Sequence, residues 1–113
     1  MAEVPLNVFK TVTERLTTSN VDLYTAPAGV TTIVLMAQIT NITESPQTVD
    51  AWTFNAESER SIELVSNFDI PPYDAASIIV GRLVIPTGDR VILRTSANSS
   101  VTATFSILET SNE

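Results

Sequence analysis

Cysteine and histidine are both missing from this chain of 113 residues. Without cysteine there is no disulfide framework, no thiolate metal site and no sulfur nucleophile. Without histidine the usual general base, the commonest zinc ligand and the ordinary pH switch are gone together. Lysine is nearly absent as well, Lys10 being the only one. With a net charge of −7 and a pI near 4.3, the chain should repel nucleic-acid phosphates and acidic membrane surfaces. The start, "MAEVPLNVFK", has no basic stretch leading into an apolar one, so no secretory signal is expected there. The longest unbroken apolar run, residues 33–37, is far too short to cross a bilayer.

What remains is a chain of ordinary apolar content, 43%, rich in Val, Ile, Leu, Thr and Ser, the residues that suit strands. Its length fits one domain that buries roughly 65% of its unfolded surface. Short apolar stretches alternate with turn residues at fairly even spacing, which predicts strands at 8–16, 21–25, 31–41, 48–55, 61–65, 77–85, 90–95 and 100–108. No segment carries a sustained 3.6-residue apolar face. The expected fold is all-β, an antiparallel β-sandwich of about eight strands, jelly-roll or Ig-like.

Side-chain alternation assigns the faces. In "SVTATFSIL", Val101, Ala103, Phe105 and Ile107 point to one side and Thr102, Thr104 and Ser106 to the other. The stretch "TTIVLMAQIT" is apolar on both sides: Ile33, Leu35, Ala37 and Ile39 form one face, Val34 and Met36 the other. It reads either as a central strand covered on both sides or as one whose second face meets another subunit. "SIIVGRLVI" has the same two-sided character, with Gly81 suggesting a bulge. The candidate subunit contacts are therefore Val34, Met36, Ile78, Val80 and Arg82, although Arg82 also reads as a plain solvated position.

Nothing in the chain reads as a reactive centre. "LVIPTGDRV" has one glycine leading into a strand-like run, where a phosphate loop needs several glycines and a helix N-terminus. Gly88–Asp89 is expected to be a hairpin tip and Asp89–Arg90 a solvated pair. Glu57 and Glu59 would share a strand face and offer a foothold for a cation or acid–base work, but "NAESERS" reads as a solvated acidic loop. Asp69 and Asp74 flank a double proline and read as turn caps. The sequons at Asn41 and Asn98 read as chance matches in a Thr- and Ser-rich chain. Trp52, Phe54, Phe68, Tyr73 and Tyr24 offer a sugar- or partner-binding aromatic surface, but Trp52 and Phe54 share one strand face and are expected in the core. Tyr73, after two prolines and before Asp74, is the aromatic expected at the surface; Tyr73 and Asp74 are the candidate exposed binding surface. No cofactor or metal site is expected.

The order of these pieces resembles small virion structural proteins of tailed bacteriophages, chiefly of marine and cyanobacterial phages. The pattern is a Tyr-Thr-x-Pro-Ala-Gly turn before a long apolar strand, a proline turn before a second one, a Gly-Asp turn, and a final alternating strand closing on Leu-Glu. The matching positions are Tyr24, Thr25, Pro27, Ala28, Gly29, Pro71, Gly88, Asp89, Leu108 and Glu109. The likeness runs roughly from residue 8 to residue 113; it departs where similar chains often read Leu-Glu-x-Gly-Asp and this one has Val84-Ile85-Pro86-Thr87-Gly88-Asp89. The resemblance implies a non-enzymatic virion component, a capsid decoration (cement) protein that self-associates, with a trimer as one form. Its partners would be itself, the major capsid protein or other virion proteins, with no nucleic acid and no membrane. Alternatives of the same origin are a neck, tail or fibre component. From a different class comes a carbohydrate- or receptor-binding sandwich using Tyr73 and the acidic loop. Hydrolysis by Glu57 and Glu59 is a distant third.

Overall fold

A computed structural model describes residues 7–79 and 82–111. Those residues form nine strands: β1 (Asn7–Arg15), β2 (Val21–Thr25), β3 (Val30–Asn41), β4 (Gln47–Asn55), β5 (Arg60–Ile70), β6 (Ala75–Ser77), β7 (Leu83–Ile85), β8 (Arg90–Thr95) and β9 (Val101–Ser111). All pairing is antiparallel. One sheet runs β1-β9-β3, with β6 and β7 both on the far side of β3; the other runs β2-β8-β4-β5. First strand pairs with last, second with second-to-last, and third with the strands before that. This nested winding makes the all-β sandwich a jelly roll.

The winding corrects one expectation about turns. Only β4–β5 and β6–β7 connect strands of the same sheet; every other connection crosses between sheets. Residues 86–89 therefore carry the chain from one sheet to the other and are not a hairpin tip. Asp89 N–H donates to Pro86 O and Gly88 N–H to Ala26 O, both at 3.0 Å, while Ala26 N–H donates to Asp89 O. Gly88 and Gly29 hold φ of 88° and 75°, the left-handed region that glycine enters without a Cβ clash. The expected 77–85 strand is two short ones, and the expected bulge at Gly81, like Val80, lies outside the described residues.

Val101, Ala103, Phe105 and Ile107 of β9 point into the core against Val49, Ala51, Val91 and Leu93 of the opposite sheet. On β3 the alternation breaks. The register with β9 shifts between Val34 and Met36, leaving Leu35 as an extra residue. Such a bulge reverses which side every later residue faces relative to a regular count. Val34 thus points inward with Ala37 and Ile39, all fully buried, while Ile33 and Met36 point out. This overturns the face assignment read from spacing.

Two bulges on β5 explain its greater length, one leaving Leu64 extra between Val65 and Glu63 and the other lying further along. Val49 pairs with Phe68 but Ala51 with Val65, so Ser66 and Asn67 stand opposite Asp50. Asn67 takes φ 53°, a conformation that asparagine tolerates. Across this sheet Trp52 and Phe54 lie on the same side as Asp50, outside the core and half-buried. They were expected inside. Arg90 and Arg94 of β8 instead lie over them, 4.6 Å from the Phe54 ring centre and 5.7 Å from that of Trp52, and the arginine stems supply the cover.

Candidate functional site

The outer face of the five-stranded sheet is the surface that stands out. Register places Phe9 of β1 opposite Leu108 of β9, Leu108 opposite Ile33 of β3, and Ile33 opposite Val84 of β7. These four make an apolar row straight across the sheet, and the bulge adds Leu35 and Met36 beside it. Phe9 is 73% exposed and Val84 56%, large apolar groups that burial in a partner would stabilise. Lys10, Thr11 and Ser106 join Phe9 and Leu35 around a shallow depression of about 230 Å³.

The rest of this face is small and polar: Thr11 and Thr13 on β1, Thr102, Thr104 and Ser106 on β9, Gln38 and Thr40 on β3, Ala75 and Ser77 on β6. Among the described strand residues that register turns outward only Arg15 is charged, while Lys10 also lines the depression. The chain has 13 Asp and Glu, and none of those described points out from this sheet.

The predicted contact residues fall differently. Met36 lies on this face, 37% exposed, and Arg82 is exposed just before β7. Val34 is fully buried and Ile78 is 6% exposed, both in the monomer's own core, so neither is a subunit contact. The bulge explains Val34. Ile78 turns inward just after the three-residue pairing of β6, its N–H donating to Ala37 O at 3.0 Å. Val80 lies outside the described residues. The row's stronger members, Phe9 and Val84, escaped the sequence reading because each needs a cross-strand neighbour to become part of a surface.

The second predicted surface does not assemble. Tyr73 is 71% exposed at φ 56°. Asp74 caps its own turn, its carboxylate accepting from Ala75 N–H at 2.8 Å. The acidic loop at residues 56–59 joins the far end of β4 to β5, so about eight residue steps at ~3.3 Å separate it from the Tyr73 end of the sandwich. A ligand small enough for one could not reach the other. Asp89 is likewise structural: it accepts from Asn55 Nδ2 and Ala56 N–H, both at 3.2 Å. Arg90, expected to pair with it, lies 3.5 Å from Asp22 instead.

Two sequence features gain physical explanations. The Asn41 sequon is an internal clamp. Fully buried, Asn41 accepts through Oδ1 from Thr43 N–H and Oγ1 at 2.9 and 2.7 Å, and donates through Nδ2 to Ser45 O, Ile70 O and Pro71 O at 2.8, 3.0 and 3.2 Å. Tyr24 and Glu109, far apart in sequence, meet between the sheets. The Tyr24 hydroxyl donates to Glu109 Oε2 and lies 2.7 Å from Thr32 Oγ1, while Lys10 Nζ sits 3.0 Å from Glu109 Oε1. Burial and then the bond to Glu109 push the Tyr24 pKa up to about 12. Burial works to raise the Glu109 pKa, but bonds from Tyr24 and Lys10 and the lysine charge outweigh it and hold the carboxyl below its ordinary range. Tyr24 on β2 is thereby bonded to Thr32 on β3 and Glu109 on β9, so the cluster ties the two sheets together.

No group of three or more acidic side chains suited to a metal ion occurs among the described residues. In comparisons with known proteins, no family model and no curated protein matches the chain. One similar solved structure comes from work on Bacillus endospore appendages, described as a novel family of disulfide-linked pili. The TM-score is 0.54 at 10% identity, with 96% of this chain and 88% of that one covered. At that identity the likeness is one of fold, and a chain without cysteine cannot share the disulfide linkage.

Proposed function

We propose that this chain is a non-enzymatic structural subunit that associates with copies of itself through the outer face of the five-stranded sheet, and that the assembly it serves is a tailed-phage virion, as a capsid decoration protein. The observation that carries the self-association is the apolar row Phe9–Leu108–Ile33–Val84 on a face without a carboxylate. Two molecules of charge −7 repel one another wherever their acidic surfaces meet. On this face they approach without that cost and bury apolar area as they do.

The size of the face agrees with a repeated rather than a permanent contact. Four strands ~4.8 Å apart and about eight residues long give on the order of 500 Å² per copy. About 1,000 Å² in total is near the lower limit for a specific interface. Weak pairwise contacts suit a subunit that is held many times over in an array. The virion reading rests on the resemblance in turn and strand order. The jelly roll, a fold used in viral capsids, supports it at the level of fold.

Sedimentation equilibrium over a range of concentrations tests the interface. Wild type is expected to associate, and Met36→Glu and Val84→Glu are expected to be monomeric with unchanged melting temperatures. A wild type that stays monomeric at high concentration, or two variants that associate as it does, would remove the interface. Gold-labelled antibody against the chain, applied to intact particles carrying its gene, tests the virion assignment; unlabelled particles would end it.

A further inference from the structure

We propose that the outer face of the other sheet, the four-stranded one, carries a separate site for a neutral saccharide, centred on Trp52. A concavity of about 390 Å³ lies there, lined by Asn20, Asp50, Trp52, Glu63, Ser66 and Arg94 among others. Its construction follows from the sheet. Trp52 pairs with Glu63 of β5 on one side and Ile92 of β8 on the other. The β5 bulge lifts Ser66 and Asn67 out of the ladder at one end of the indole, a role bulges often have beside binding sites.

The polar groups divide into held and free. Asp50 accepts from Asn67 N–H through Oδ1 at 2.7 Å and from Arg94 Nη2 through Oδ2 at 2.9 Å. The Asn67 backbone bond, then Arg94, holds this carboxyl below its ordinary range in spite of its burial. Asp50 is therefore occupied, and its work is to fix Arg94 over part of the indole with the other guanidinium N–H groups left over. By contrast, the side chains of Asn20, Glu63 and Ser66 form no hydrogen bond to any described residue. An amide, a carboxylate, a hydroxyl and spare guanidinium donors thus border one aromatic surface.

That combination selects a ligand class. A ligand must offer an apolar patch to the part of the half-buried indole that Arg94 leaves uncovered and, around its rim, groups that both donate and accept. A pyranose does so, with its C–H face and ring of hydroxyls. Anions are disfavoured: Arg94 is neutralised by Asp50 and Glu63 carries an unpaired negative charge. A cationic side chain is disfavoured because Arg94 already lies at the ring and would repel a second cation. The site is on the opposite sheet from the proposed assembly face, so a subunit fixed by one face presents the other.

Trp52 is the only tryptophan, so its fluorescence reports on the site alone. The full chain would be titrated with the methyl glycosides of glucose, galactose, mannose and N-acetylglucosamine, and with methylguanidinium and acetate as charged probes. At least one glycoside is expected to give a saturable change with millimolar half-saturation. Glu63→Gln and Asn20→Ala are each expected to weaken it about tenfold with an unchanged circular-dichroism spectrum. Met36→Glu is expected to bind as wild type does, whatever its association state. No saturation with any glycoside, saturation by methylguanidinium or acetate alone, or a response untouched by both site variants would overturn the proposal.

Discussion

Asn41→Asp replaces one atom of the buried clamp, and the structure says what that should do. The wild-type Nδ2 donates to three carbonyl oxygens at 2.8–3.2 Å. An isosteric carboxylate would put an oxygen at the same distances from the same three acceptors. Simple removal, Asn41→Ala, should already cost at least about 3 kcal/mol: the bond to Ile70 O is buried and worth about 1–3 when left unmade, and the four part-buried bonds are worth about 0.5–1.5 each. For a domain this size that lowers the melting temperature by roughly 12 °C or more.

The introduced carboxyl adds a pH-dependent penalty. Three facing carbonyls disfavour its charged form, so its folded pKa rises above the unfolded value of about 3.9. The sign follows. A raised acid is least harmful below its unfolded pKa, and the deficit grows by about 1.4 kcal/mol per pH unit above it until the folded value is passed. Urea unfolding of wild type, Asn41→Ala and Asn41→Asp at pH 4 and pH 6 reads this directly. The alanine deficit should be the same at both values; the aspartate deficit should be about 2–3 kcal/mol larger at pH 6. An aspartate variant within 1 kcal/mol of wild type, or one whose deficit does not move with pH, would refute the clamp as described.

The Tyr24–Glu109 tie predicts an alkaline and an acid limit. Tyr24 has a folded pKa raised from 10.0 to about 12, so its contribution is whole below pH 10 and is lost as pH climbs through about 12. Tyr24→Phe should blunt that alkaline loss in a pH series of thermal melts. Glu109 has a lowered pKa, so its contribution is present above the ordinary carboxylate range and disappears as pH falls through the folded value; Glu109→Gln should flatten the acid limb. At the two sheet-crossing turns, Gly29→Ala and Gly88→Ala should each cost about 1–2 kcal/mol from backbone conformation alone, because an added Cβ meets nothing within 4 Å at Gly29 and only the Ala56 Cβ at 3.6 Å at Gly88. A D-alanine placed at either position should restore stability, and failure to do so would point to a steric cause.

Much of the fold was legible along the chain. The alternation in "SVTATFSIL" marked β9 and its inward face, and six other segments were found as strands because Val, Ile and Thr runs ended at Pro, Gly and Asn turns. Local pattern and local turn chemistry determine those features, since each depends on residues a few positions apart. Pairing across the sandwich decided the rest. Whether Gly88–Asp89 closes a hairpin or crosses between sheets depends on which distant strand accepts β8. The fate of Val34 hinges on a bulge, and those of Phe54 and Trp52 on two arginines from another strand. The row from Phe9 to Val84 exists only because residues up to 99 positions apart share one register, and backbone hydrogen bonds between strands carry no mark in the local sequence.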